Sequence, residues 1–490
     1  MWVTVAIVVV LIALIWRYTG RPKGLPQGPT CYPIIGNVGL GLVKPPEAVK
    51  AHRKLRKKYG DIYTIMTFHK PMIAVHGYDN IRELLVKHGD IFSDRPLTIH
   101  PHNVRVNGVF NKGKCLVWSS GPLWKEQRTF ALTTMRKFGF GKRSLQGQIM
   151  EEVDCLMDEL EKYGNKPFDI QNILNTSVSN VICSLLFGNR FEYDDTKFKR
   201  LIDLLNKLFT TGSGSSPEFV FPILRHLPMS RFAKVQKLFA DIDGFTSEII
   251  EEHRRNFNGN NINDFIDGFL LQQNETEENS TFTDEQLKIS VREFFAAGTE
   301  TTSTTLRWSL LFLIHHPEWQ QKLRDDIDAV IGQSQPTMEH KEQLPLVEAF
   351  ILEVQRHANL FPLGLPHAPK EDFNYKGYHL PKGSFMFFVL DSVMTDPEIF
   401  PEPTKFKPER FLDNGGTCNG EQKEKLIPFS TGRRLCLGDS LAKMELFLFL
   451  TRFLQKFKIK PENPECMPSL EGKMGITTMP TSFNIVLIKR

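Results

Sequence analysis

Residues Phe429–Gly438 read F-S-T-G-R-R-L-C-L-G. Glycines flank a cysteine, two arginines precede it, and a helical pattern follows. A thiolate held at the start of a helix gains from the amide dipoles and free N–H groups there. Gly432 and Gly438 remove side-chain bulk, so that a flat group can lie against the backbone. Arg433 and Arg434 can neutralise carboxylates. Together these features fit haem iron held by one axial thiolate, with arginine on a propionate. For Cys436 taken alone, the alternative is an ordinary buried cysteine in a turn.

Around this turn lies a chain of 490 residues, 41% hydrophobic and 24% charged. That balance is globular and excludes a disordered, collagenous or polytopic membrane chain. The net charge of +5 gives no case for nucleic-acid binding. The 38 phenylalanines suit an apolar ligand, and equally a plain core. The seven cysteines (Cys31, Cys115, Cys155, Cys183, Cys418, Cys436 and Cys466) are odd in number and include no C-x-x-C. A zinc ribbon and a disulfide scaffold are both disfavoured, and a reducing compartment is the simpler reading.

Trp2–Trp16 carries no charge, and Arg17, Arg21 and Lys23 follow it with nothing basic before. No small-x-small cleavage site follows, so a retained membrane anchor is expected over a cleaved signal. The positive-inside rule then places the body in the cytosol. The sequons at Asn175, Asn274 and Asn279 should accordingly stay bare. Arg21–Pro33, with four prolines, reads as a stiff linker. The expected organisation is an anchor over 1–20, a linker over 21–33 and one domain over 34–490.

Within that domain, helical periodicity predicts helices over Asp79–His88, Trp118–Phe138, Ser144–Tyr163, Ile170–Phe187, Asp194–Phe209 and Met229–Arg255. Further helices are expected over Asp284–His316, Glu318–Ile331, Leu344–Asn359 and Asp439–Phe457. Asp284 is the expected N-cap of the long one and Pro317 its stop. Ile62–Phe68 and Met72–His76 read as a hairpin, Tyr378–Leu390 and Thr477–Ile488 as strands. The class is mainly α (α+β).

The spacing F-x-x-G-x-R-x-C-x-G resembles the haem-binding signature of the cytochrome P-450 superfamily, with every position filled. Three further segments stand in the order that resemblance requires. Glu353 and Arg356 form E-x-x-R on one helix face, and Arg410 in Pro408–Phe411 supplies the family's downstream arginine. A buried structural ion network is implied. Ala297–Thr302 reads A-G-T-E-T-T and resembles the oxygen-activating kink of the family's central helix, with Glu300 as the acid and Thr301 as the hydroxyl. In isolation the same residues read as a buried helix whose threonines bond back to carbonyls. Trp124-x-x-x-Arg128 resembles the family's W-x-x-x-R, which reaches a haem propionate; its plain alternative is a cation–π pair.

The resemblance spans the whole chain and is closest to the animal microsomal branch, family two. Leu365-Pro366-His367 and Phe92–Arg95 match that branch and add His367 and Arg95 as propionate candidates. Thr395 departs from it, since many members carry histidine there. A single helix-rich haem-thiolate monooxygenase fold with small sheets near both termini is implied. The haem-binding set is Cys436 as iron ligand, with Arg434, Arg128, Trp124, His367, Arg95, Phe429 and Gly438. The implied substrate pocket comprises Phe294, Ala297, Phe361, Leu363 and Leu365, the loop from Leu97 to Val117 and the turn at Gly475-Ile476. All five named side chains are apolar, so a lipophilic substrate is expected.

No G-x-G-x-x-G fingerprint appears, so electrons are expected from a partner. The resemblance implies that NADPH acts only indirectly, through a membrane-bound flavoprotein reductase, sometimes helped by cytochrome b5. Lys125, Arg136, Lys137, Lys142, Arg143 and Arg433 are candidates for a basic docking face. The resemblance implies the endoplasmic reticulum membrane. Phe219–Phe232 reads as a second membrane contact or as packed core. Two other readings stay open: a haem-thiolate isomerase or dehydratase needing no reductase, and a tethered lipid- or haem-binding protein.

Overall fold

The computed structural model describes residues 2, 4–5, 7–11, 21–32, 36–37, 45–67, 70–96, 116–211, 224, 227, 230–276, 280–418 and 420–490. Most of 1–20, the loop at 97–115, nearly all of 212–229 and the sequon at Asn279 therefore lie outside the described residues. Among the described residues no helix is long and apolar enough to cross a membrane. The described positions of the expected anchor are helical and exposed.

The principal elements, in chain order, are helix α1 (Pro45–Tyr59), strands β1 (Ile62–Thr67) and β2 (Lys70–Val75), helices α2 (Gly121–Lys137) and α3 (Gln146–Glu161), and strand β3 (Phe168–Asp169). Helices α4 (Gln171–Phe187), α5 (Thr196–Thr211), α6 (Arg231–Asn256), α7 (Phe265–Glu275), α8 (Asp284–His315), α9 (Pro317–Val330) and α10 (Pro345–Ala358) follow. Strands β4 (Phe373–Tyr375), β5 (Tyr378–Leu380) and β6 (Phe385–Phe388) precede helix α11 (Asp439–Lys456) and strands β7 (Phe457–Pro461), β8 (Gly472–Met474), β9 (Thr478–Pro480) and β10 (Asn484–Lys489). The mainly α class holds. β1 and β2 are antiparallel and β6 joins β2 in parallel. β10 pairs with both β3 and β7.

Helix α8 is the axis of the molecule. It is buried on almost every face from Phe294 to Ile314 and packs on α4, α6, α10 and α11. The N-cap is Thr283, whose hydroxyl accepts the Gln286 N–H at 3.2 Å, one residue before the expected Asp284. Pro317 follows the last turn. Gly298 has a packing reason: a Cβ there would press on Ile182 of α4 at 3.0 Å.

The structure shortens and divides several expected elements. Tyr378–Leu390 is two strands, β5 and β6, because Gly383 at φ +70° turns the chain between them. Thr477–Ile488 is likewise β9 and β10. Helices α1 and α7 were not expected. Arg21 to Tyr32 is irregular, and it lies on the body, with Leu25 buried and the Gln27 carbonyl accepting the Thr64 N–H at 2.9 Å. Many of the described phenylalanines are core. Phe130, Phe265, Phe269, Phe282 and Phe294 meet around α7 with ring centroids 4.9–5.9 Å apart along the chain of contacts. Asn175 is buried and donates to Asn206 at 2.7 Å, so this sequon offers no free side chain.

A buried polar knot ties α1 to the first sheet. His52 Nδ1 lies 2.6 Å and His76 Nε2 3.3 Å from the Tyr63 hydroxyl. Burial holds His52 down at about 4 and His76 at about 3. Both rings are therefore neutral in the fold, whereas the unfolded chain binds protons on them below about pH 6.5. Stability is complete above that pH and falls as pH drops toward 4, by roughly 3 kcal/mol per ring. The denaturation midpoint, followed from pH 7 to pH 4, should slope less in His52→Gln than in the wild type. Parallel slopes would show that the knot does not govern acid sensitivity.

Candidate active site

The signature turn is built by short-range hydrogen bonds. Cys436 N–H donates to the Phe429 carbonyl at 3.1 Å, and Leu435 N–H to the Gly432 carbonyl at 3.0 Å. Gly432 has φ +75°, and a Cβ there would overlap the Leu85 carbonyl. A crossing of two backbones thus requires glycine there in its own right. Gly438, at φ −89°, caps α11, and a Cβ there would meet Cys436 Sγ at an ordinary 4.0 Å. The Cys436 thiol is pushed up by burial; the Gly438 amide, Arg128 and Lys443 act in the opposite direction. Dense protein surrounds the residue, yet it has solvent-accessible surface. Both hold when a side chain lines an internal cleft. The helix-terminus effect expected from the sequence is real and smaller than desolvation.

Guanidinium groups gather beside this cysteine. Arg434 lies over the Trp124 ring at 3.7 Å, and Arg128 lies at 5.8 Å from the same ring. Arg434 donates to the Ser93 and Ser119 carbonyls, both at 2.6 Å. Arg128 donates to the Leu435 carbonyl at 2.6 Å. Arg95 donates to the Pro366 carbonyl at 2.7 Å and the Val117 carbonyl at 2.9 Å. His367 Nδ1 donates to the Phe92 carbonyl at 2.7 Å. Burial, then the charges of Arg95 and Arg434, hold the His367 ring neutral. Five residues from four separate stretches of sequence thus form one cationic, aromatic-backed cluster. Arg433 is apart from it, exposed and paired with Asp90 at 2.6 Å.

On α8, Ala297 is exposed while Phe294, Phe295, Thr299 and Glu300 around it are buried. A gap therefore opens against the helix at the A-G-T-E-T-T segment. Leu365 and Leu435 also keep accessible apolar faces. Phe361 and Leu363 are half-buried, and Phe294 packs edge-on to Phe265 at 5.2 Å. Ile476 N–H donates to the Phe209 carbonyl at 3.0 Å, which sets the Gly475-Ile476 turn against α5.

Thr301 donates to the Ala297 carbonyl at 2.8 Å, and Thr305 and Ser309 repeat the pattern one and two turns on. The back-bonding reading of these threonines is therefore present, in an unbroken helix. Glu300 turns away from Thr301. Its Oε1 accepts from Thr304 at 2.9 Å and lies 3.5 Å from the Thr477 hydroxyl. Burial raises this carboxyl to about 7, against the opposing pull of Thr304, Arg307 and Thr477. A second acid was not foreseen. Glu445 of α11, raised by burial to about 8, accepts from Thr302 at 3.0 Å and joins α8 to the cysteine-bearing end of the molecule. Thr304 and Arg307 sit four and seven residues after Glu300, so helical spacing alone could have found them. Thr477 and Glu445 come from distant sequence and left no local signal.

Glu353, Arg356 and Arg410 meet in a buried network. Arg356 grips Glu353 with two bonds of 2.7 and 2.8 Å, and Arg410 Nε reaches the same carboxylate at 3.1 Å. The remaining N–H groups go to carbonyls of Met394, Pro401, Pro403 and Lys405, all in the stretch that leads to the signature turn.

The donor set suits a porphyrin: one thiol on a cleft wall, guanidiniums for two carboxylates, and open apolar faces on α8 and around it. Comparison with known proteins agrees. The chain matches the cytochrome P450 family model over residues 26–487. It is 40% identical to cytochrome P450 2C23 of Rattus norvegicus over 99% of both chains. It is 40% identical to cytochrome P450 2J1 of Oryctolagus cuniculus, over 96% of this chain and 93% of that one. Cytochrome P450 2C8 of Homo sapiens is 38% identical over 98% and 97%. With its cysteine turn, its long threonine-bearing helix and its full-length likeness to these proteins, the chain belongs to the cytochrome P450 family of haem-thiolate monooxygenases.

Proposed function

We propose that this enzyme inserts one atom of O2 into a lipophilic small molecule of the fatty acid, steroid or xenobiotic type, by hydroxylation or epoxidation. Electrons would come from NADPH through a flavoprotein reductase, with cytochrome b5 as auxiliary donor. The observation that carries this reading is the Cys436 thiol on the cleft wall beside the Arg95–Trp124–Arg128–His367–Arg434 cluster. Cys436 would be the iron ligand, and that cluster would hold the propionates. The Phe429 carbonyl and the Gly438 amide hold the ligand loop in place. Haem bound to a thiolate supplies the O2-activating chemistry.

The chain's own residues supply the rest. Glu300, near its midpoint at neutral pH, can hold a proton and release it. The Thr301 hydroxyl, half-buried on the same helix, would have to leave the Ala297 carbonyl to pass that proton into the cleft, and Glu300 would have to swing from Thr304 to reach it. Phe294, Ala297, Phe361, Leu363 and Leu365 offer apolar surface that orients a lipophile and excludes water. Lys125, Arg136, Lys137 and Lys142 are exposed on the basic face proposed for the reductase, while Arg143 pairs with Glu339 at 3.4 Å. The organisation proposed is an anchor over 1–20, a linker over 21–33 and a haem domain over 34–490, on the cytosolic side of the endoplasmic reticulum membrane.

The first test is the reduced, carbon-monoxide difference spectrum of the full-length protein. A red-shifted, thiolate-type Soret band is expected; no haem uptake would overturn the reading. In Thr301→Ala, NADPH consumption should continue while product per NADPH falls by about tenfold or more. Unchanged coupling would remove Thr301 from proton delivery and favour an isomerase or dehydratase.

A further inference from the structure

Arg307 lies two turns beyond Glu300 on α8 and is 2% exposed. Its Nε and Nη2 groups meet no protein acceptor. Those two N–H groups form the parallel fork with which a guanidinium takes a carboxylate or a pair of waters. A buried cation with an open fork is costly to leave unsolvated, so the site calls for small polar ligands. Two acids act on it: Asp169 in strand β3, and Glu300. Asp169 is exposed and fixed in place, accepting the Gln171 N–H at 2.9 Å and the Ser482 hydroxyl at 2.5 Å.

From the other side, Glu300 bonds to Thr304 and Thr477, and Arg307 is the charged group that acts on it. Charges on several other elements around α8 have partners of their own or lie at the surface. Glu445 of α11 is taken by Thr302, and Asp243 of α6 by Arg292. Glu353 and Arg356 of α10 hold each other, and Asp267 of α7 accepts the Asn263 N–H. Lys199, Arg200, Asp203 and Lys207 of α5 and Lys458 and Lys460 of β7 are exposed, and Cys183 of α4 is a buried thiol.

We propose that Arg307 is a positioning residue for the Glu300 carboxyl, and that its open fork binds the water through which Glu300 exchanges protons with solvent at Asp169. This rests on Glu300 being the proton donor described above. When Glu300 releases its proton, the carboxylate left behind is stabilised by the buried Arg307 charge two turns further along the same helix. Water in the fork then returns one proton to Glu300 and takes one from the Asp169 side. Arg307 stays protonated throughout, and no electrons move.

The test uses the full-length holoenzyme and the variants Arg307→Met, Arg307→Lys and Asp169→Asn. All should keep the thiolate-type carbon-monoxide band. Its absence from the wild type would defeat the haem reading itself, a separate failure. The direct readout is the infrared carboxyl stretch of Glu300, assigned by its loss in Glu300→Gln and titrated against pH. Arg307→Met should raise the midpoint by about one pH unit or more, and Arg307→Lys by less. Asp169→Asn should leave the midpoint in place and enlarge the solvent isotope effect on coupled turnover. Arg307→Met removes a costly buried charge, so it should fold. An unchanged carboxyl midpoint in both Arg307 variants overturns the positioning role, whatever their thermal stability. An unchanged isotope effect in Asp169→Asn overturns the water route.

Discussion

Cys436→Ser is expected to abolish the thiolate-type carbon-monoxide band and to lower turnover at least about a hundredfold, the larger end of what altering a metal's surroundings costs. Serine preserves the size of the side chain and the turn around it, because the turn is held by backbone bonds from Cys436 to Phe429 and from Leu435 to Gly432. What it removes is a soft, easily deprotonated donor. Burial already pushes the Cys436 thiol up, so a thiolate there would need a bound metal as well as the opposing Arg128, Lys443 and Gly438 amide. A serine hydroxyl, far less acidic, would not be deprotonated by the same surroundings. The check is the difference spectrum, read beside haem content and circular dichroism. A surviving thiolate band would mean another cysteine reaches the iron.

Glu353→Gln is the second large effect. It leaves Arg356 and Arg410, 1% and 8% exposed, without their shared carboxylate. Breaking such a network by removing one partner costs about 3–5 kcal/mol, a large share of the stability of an ordinary domain. The loss falls on a defined place. The two arginines also hold the carbonyls of Met394, Pro401, Pro403 and Lys405, so the chain running toward the signature turn loosens with them. Expression of haem-loaded protein should drop steeply, with a lower denaturation midpoint in whatever folds. A variant with wild-type midpoint and haem content would show that the network is dispensable.

The sequence made some features legible because they are local. The signature turn, the E-x-x-R pair and the long helix up to Pro317 each declare themselves within a few residues of spacing. Helix α1 had a readable signal too: Ala48, Ala51, Leu55 and Tyr59 recur at helical intervals beneath a run of basic residues. Helix α7 carried the capping aspartate Asp264, which accepts the Asp267 N–H at 2.9 Å, close behind an asparagine-rich loop that masked it. Strand pairing was less legible. β3 has two residues and exists only because β10 lies beside it, some three hundred residues later. The site followed the same division. Glu300 and Thr301 are legible as types, and Thr304, one turn on, was legible as a partner of Glu300, but Thr477 beside it comes from a turn far along the chain.

Gly432 illustrates how a pattern of letters can conceal its cause. It stands inside the haem-binding signature, yet what excludes a side chain there is the Leu85 carbonyl of a neighbouring turn, together with φ +75°. Saturation of this codon would therefore report on a crossing of two main chains. Its survivors would be set by steric tolerance and by repair at Leu85's own turn, and a lineage that rerouted that turn would free position 432 to drift without touching the chemistry.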